Sequence, residues 1–272
     1  MQDYPPAGNV SRVEIDDKLP IPNEFLVKIR ETHKRGRERI EVGYGVPVIK
    51  VEPVEVAEMV ESHRWAWRPA RPRLVLVAES HVFTTPEEMA VRYTNPVGAE
   101  YAPSNYVRLV YCLGYGESEL ASGRKGGTPQ YWDIFGKLVG TSPKNIPGTT
   151  PGTRLAEKVE TLRRLKASGI WLLDASLHGI YMPKGERIDA VSGDITRDLQ
   201  KLWWEGYGSA LLKHAKPERV IAIGKGLFNN MSSEIPFNDW IYQPQGARLP
   251  AQRKKNSDTL GELADWLQKN VT

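Results

Sequence analysis

Leu74-Val75-Leu76-Val77-Ala78-Glu79-Ser80-His81 is an unbroken run of five apolar residues that passes directly into three polar ones. A half-wet strand would alternate, so a continuous apolar stretch this short reads as a strand buried on both faces. Upstream, Val54, Val56, Ala57 and Val60 have helical spacing up to Trp65, before Pro69 and Pro72 break the pattern. Downstream, Leu155, Val159, Leu162 and Leu165 mark an amphipathic helix that Gly169 ends, and Ile170-Trp171-Leu172-Leu173 forms a second apolar strand. A helix from about Thr196 through Leu212, a strand Arg219–Gly224, a strand Asp239–Tyr242 and a helix marked by Leu260, Leu263 and Leu267 complete the series. Strands separated by helices in this rhythm predict a three-layer α/β/α sandwich on a central four-stranded, mostly parallel sheet. In such folds ligands bind beyond the carboxyl ends of the strands, so function is sought just after each one.

Outside this frame, residues 1–20 are polar and contain proline, and read as an N-terminal arm; residues 21–272 read as a single α/β domain. The stretch from Tyr93 to Thr153 is rich in Gly, Pro, Asn, Ser and Thr and reads as a long loop-rich insertion with one short helix around Tyr131–Phe135. No apolar run reaches the ~20 residues a spanning helix needs, and no basic-then-apolar leader opens the chain, so a cytoplasmic monomer is expected. Cys112, the only cysteine, excludes an intrachain disulfide and any thiolate-rich metal site, and reads as a small buried hydrophobe.

The net charge is +4, and the basic residues gather in three places. Lys28 to Arg39 is one. Arg64, Arg68, Arg71 and Arg73 interleave with Trp65 and Trp67, which suits phosphate contact with base stacking and equally suits a core. The third is Arg248, Arg253, Lys254 and Lys255. Nucleotide-cradle motifs do not fit: Asn229 stands where the third glycine of a dinucleotide loop after Gly224-Lys225-Gly226 belongs.

The strand ends carry, in order, Ala78-Glu79-Ser80-His81, Leu172-Leu173-Asp174, Gly224-Lys225 and Gln243-Pro244-Gln245-Gly246. This series resembles the uracil-DNA glycosylase superfamily over roughly residues 50–270. There the first motif places the hydrolytic water, a Leu-Leu-Asn reads the uracil edge, and a His-Pro-Ser-Pro loop enters the DNA. The present chain departs from the pattern with Ala78 for glycine, Ser80 for the water-positioning Asp or Asn, His81 for proline, Asp174 for asparagine and Gln243 for histidine. Tyr93, 13 residues after Ser80, matches the position of the aromatic on which uracil stacks.

The resemblance implies hydrolysis of the N-glycosidic bond of uracil in single- or double-stranded DNA, by base flipping and without metal or cofactor. The same fold acting on another deaminated or modified base, or as a catalytically silent nucleic-acid-binding protein, is the alternative. The amide of Gln243 can donate to the departing base oxygen as an imidazole would. Glu79 or His81 would hold the water, and for Ser80 a local backbone hydrogen bond is the stronger expectation. An ionised Asp174 only accepts, so uracil reading calls for a protonated Asp174, which burial would favour, or for a donor from His178. Gln243 to Lys255 is expected to be the DNA-entering loop, with Gln245 on the strand, Leu249 as wedge, and Arg248, Arg253 and Lys254 on phosphates.

Overall fold

The computed structural model describes residues 21–43, 51–117, 119–121, 128–141, 151–180, 193–243 and 246–269. The expected arm at 1–20 lies outside them, as do Pro244 and Gln245. The chain is an α/β/α sandwich on four strands: β1 Leu74–Ala78, β2 Ile170–Asp174, β3 Arg219–Ile223 and β4 Asp239–Ile241. Their spatial order is β2-β1-β3-β4 and every pairing is parallel, with Leu74 opposite both Ile170 and Arg219. All five β1 residues are buried, as the unbroken apolar run requires of a strand covered on both faces.

Two groups of helices sandwich the sheet. In one, α1 (Asn23–Glu38) packs on α2 (Val54–Ala66) and on α6 (Gly193–Trp203). In the other, α4 (Pro129–Val139) packs on α5 (Pro151–Ala167) and on α9 (Pro250–Lys269). Short helices α3 (Pro86–Met89), α7 (Ser209–Ala215) and α8 (Lys225–Met231) fill the connections. Gly169 sits at φ +75 between α5 and β2, and a Cβ there would lie 2.8 Å from the Arg71 carbonyl oxygen, so the turn selects glycine on both counts. Among the described residues no helix is long and apolar enough to cross a membrane.

The structure resolves two basic stretches and shortens one expected loop. The 28–39 charge run is one face of α1, whose other face buries Phe25, Ile29 and His33; its arginines reach Glu58 and Asp198. Trp65 and Trp67 are core, Trp65 packing on Phe25 and Trp171 with ring centroids 5.1 and 5.7 Å away. Arg64 is buried and Arg68 lies over Trp65 and Trp171, so this segment offers no base-stacking tryptophan to a nucleic acid. The loop expected over 243–255 stops early, because Pro250 opens α9 and Gln252 Oε1 accepts from Leu249 N at 3.0 Å. Proline in the first helical position and a side chain reaching back to the residue before it are helix-start chemistry, and they place Arg253, Lys254 and Lys255 on a helix.

The 93–153 insertion is better packed than its composition suggests. Tyr106, Val107, Tyr111 and Cys112 are buried, and the Tyr111 hydroxyl accepts from Leu172 N at 2.8 Å. That bond, with Arg64 Nε donating to the Leu172 carbonyl at 3.1 Å, closes the outer edge of β2.

Candidate functional site

The chain turns from one side of the sheet to the other between β1 and β3, which places the open crevice beyond the carboxyl ends of these two central strands. On its rim stand Glu79 and Ser80 after β1, Gly224 and Lys225 after β3, and Gln243 after β4. Glu79, Ser80 and Gln243 are all half-buried. The Gln243 side chain lies over Gly224, its Nε2 3.6 Å from where a Cβ would stand, and the Gln243 backbone carbonyl accepts from Gly246 N and Ala247 N. Ser80 Oγ donates to the neighbouring His81 carbonyl at 2.9 Å, the local bond its residue type favours.

Behind the rim lies a buried chain of charges. Glu52, completely buried, accepts from Thr84 N at 2.6 Å, Gly179 N at 2.6 Å and His81 Nε2 at 2.8 Å. It thereby ties the segment before α2 to the loops that follow β1 and β2. His81 Nδ1 lies 3.6 Å from Asp174 Oδ2, which also accepts from Arg64 Nη2 at 2.7 Å. Arg64 in turn pairs with Glu61, one helical turn back, and Glu61 accepts from the Tyr207 hydroxyl at 2.7 Å. Only this pairing makes so many buried charges tolerable.

The pairing also sets protonation. Burial alone would lower the His81 pKa, but Glu52 and Asp174 together raise it to about 9. Burial would raise the Asp174 carboxyl, but the Arg64 guanidinium and the His81 ring hold it below the ordinary aspartate value. Asp174 is therefore ionised and accepts only, contrary to the protonated donor that uracil reading called for. At Glu61 burial prevails over Arg64 and Tyr207, and the carboxyl is raised. His178 lies between His33 and Trp203, with ring centroids 4.4 and 4.7 Å away, and burial drives its pKa well down, so the ring is neutral and keeps a single N–H donor.

Tyr93 belongs to an adjoining group. Its ring abuts Gly114 and its hydroxyl lies 3.3 Å from Cys112 Sγ, while His63 Nε2 lies 2.8 Å from the Asn105 carbonyl oxygen. Consecutive residues of α2, His63 and Arg64, thus serve the Tyr93 and Asp174 groups respectively. Arg248, Leu249, Arg253 and Lys254 are exposed beside Gln243, with Leu249 at 61% the most exposed leucine on the described surface.

Sequence reasoning missed Glu52, Glu61, Arg64 and Tyr207. The available signal was in α2, where Glu58, Glu61, His63 and Arg64 stand among the apolar residues, with Glu61 and Arg64 at salt-bridge spacing. Among the described residues no group of three or more His, Cys, Asp or Glu side chains is placed to hold a metal ion. Neither a family model, a curated protein nor a solved structure matches the chain.

Proposed function

We propose that the chain is a glycosylase that hydrolyses the N-glycosidic bond of uracil in DNA. The observation that carries this reading is that the described residues resembling the superfamily's motifs, Ala78–His81, Leu172–Asp174, Gly224–Lys225 and Gln243, lie at the carboxyl ends of four parallel strands, around the crevice between β1 and β3. Gln243 would donate its amide N–H to the base oxygen as negative charge develops there. Both His81 nitrogens face carboxylates, so Glu79 on the rim is the group left to hold the water, and His81 acts as a charged support beneath it. The ionised Asp174 would accept from the base N3–H.

That same ionisation favours a second reading, a base whose edge offers an amino donor instead of the uracil oxygen beside N3–H. A labelled oligonucleotide containing uracil, incubated with the protein and then treated with alkali, should break at the uracil. Gln243→Ala should slow the reaction by about 10²–10³, the usual cost of one oxyanion donor. Breakage only at a base with an exocyclic amino group would establish the second reading. No breakage at uracil or at any base with an exocyclic amino group would refute glycosylase chemistry altogether.

A further inference from the structure

We infer that the β4 edge, with its row of half-buried aromatic rings, is a docking surface for single-stranded DNA. In β4 and the residue after it, Trp240 and Tyr242 are two apart and so share a face. Their ring centroids lie 4.7 Å apart, and Phe228 and Phe237 continue the row at 6.3 and 5.8 Å. All four rings are partly exposed, whereas Trp67, Trp171 and Trp203 in the core are exposed by 1% or less. Apolar rings left in contact with water in a row, beside a rim of charge, need a partner with apolar faces.

The charge identifies that partner as a polyanion. From Lys225 to Lys255 the chain carries five basic residues and two acidic ones. Lys225 Nζ and Lys255 Nζ lie 5.6 and 4.7 Å from the Trp240 ring centroid, so an arriving base and its phosphate would take over the ring and the cations together. Of the two acids, Asp239 is paired with Lys255 at 3.2 Å and Glu234 with Lys201 at 2.7 Å. A protein strand is a poorer fit for this edge, because Asn256 already satisfies both Tyr242 N and Tyr242 O, at 2.7 and 2.9 Å. A duplex hides the faces of its bases, which only a single strand offers to a row of rings. The row ends at Tyr242, next to Gln243, so a strand lying on it leads into the crevice.

A fluorescein-labelled thymidine 15-mer tests this surface without engaging the glycosylase reading, because it contains no uracil. Fluorescence anisotropy should show it binding more tightly than a duplex of the same length. Trp240→Leu should weaken 15-mer binding about tenfold, the usual loss for one stacked base. Lys225→Gln, at an exposed site that leaves the fold intact, should lower the salt slope by about 0.7. Should Trp240→Leu fail to fold, as judged by its melting curve, the Lys225→Gln slope decides. Equal or tighter duplex binding, tighter binding of a uridine 15-mer, or an unchanged slope with unchanged affinity would overturn the inference. So would capture by phosphatidylserine vesicles without capture of the 15-mer.

Discussion

Glu52→Gln removes one charge at nearly constant volume from the point where three segments meet. The folded His81 holds its proton up to about pH 9, against 6.5 for an unperturbed histidine. Two and a half pH units at 1.36 kcal/mol each put the linked stabilisation at about 3 kcal/mol. Because the folded pKa is the higher one, this stabilisation is complete below pH 6.5 and is lost as pH rises through 9. Glu52 is the largest of the influences raising His81, so Glu52→Gln should cost most of it, at the lower end of the ~3–5 kcal/mol typical of a broken buried pair. Urea unfolding of both proteins at pH 6.5 and 9.5 reads the effect. The gap should be about 3 kcal/mol at pH 6.5 and shrink by about 2 kcal/mol at pH 9.5. Glu55→Gln, exposed in the first turn of α2, should change stability by less than about 0.5 kcal/mol at either pH. A Glu52→Gln gap below about 1 kcal/mol at pH 6.5, or one of equal size at both pH values, would refute the charged clamp.

Asp174→Asn should destabilise by roughly 3 kcal/mol at pH 7, since it strands Arg64. The Asp174 pKa is lowered by folding, so its contribution is present above 3.8 and lost as pH falls below; melting curves of variant and wild type should converge in acid. Gly179→Ala would set a Cβ 2.5 and 2.6 Å from the Phe83 backbone N and Cα, an overlap that rigid backbone cannot relieve. A loss of about 1–3 kcal/mol is expected, and an unchanged melting temperature would show that the two loops are loosely held. Burial pushes the Cys112 thiol up, but His63 and Tyr93 bring it below its ordinary value. Its reaction with a thiol reagent should therefore be limited by access: labelling should follow global unfolding, and rapid labelling of the folded protein would contradict its 1% exposure.

The sheet was legible because its strands announce themselves locally. Leu74–Ala78 and Ile170–Leu173 are apolar throughout, and only burial on both faces tolerates that. Helix α1 was not read, since its charges outnumber its apolar residues and its buried face includes His33 and Thr32. The start of α9 hid behind Pro250, which in a basic stretch looks like a loop residue until the helix that follows is seen. At the site, the rim residues Glu79, Ser80 and Gln243 followed from the strand ends. The network behind them did not, because Glu52 and His81 are 29 positions apart and Arg64 and Asp174 are 110 apart. Periodicity reports which face of an element is wet; it carries no information about which buried charge meets which across the fold.

Why the interior here is ionic follows from what an apolar interior cannot do. Apolar side chains of similar volume often match or exceed a buried ion network in stability, so stability alone does not select Glu61, Arg64, Asp174, His81 and Glu52. Apolar contact is indifferent to small slips, whereas a carboxylate that must accept from Thr84 N, His81 Nε2 and Gly179 N has one acceptable position for each. Ala78 pairs with Asp174 across the last register of the sheet, and Ala175 N extends the ladder by donating to the Ala78 carbonyl at 2.9 Å. Beyond that point hydrogen bonding between strands ends, and the charges take over the task of fixing one loop against the other. Glu79 and Ser80 are one and two residues past the end of this ladder. Their placement relative to Asp174 is thus held by Glu52 and His81 rather than by the sheet, so the geometry of the rim depends on these buried charges.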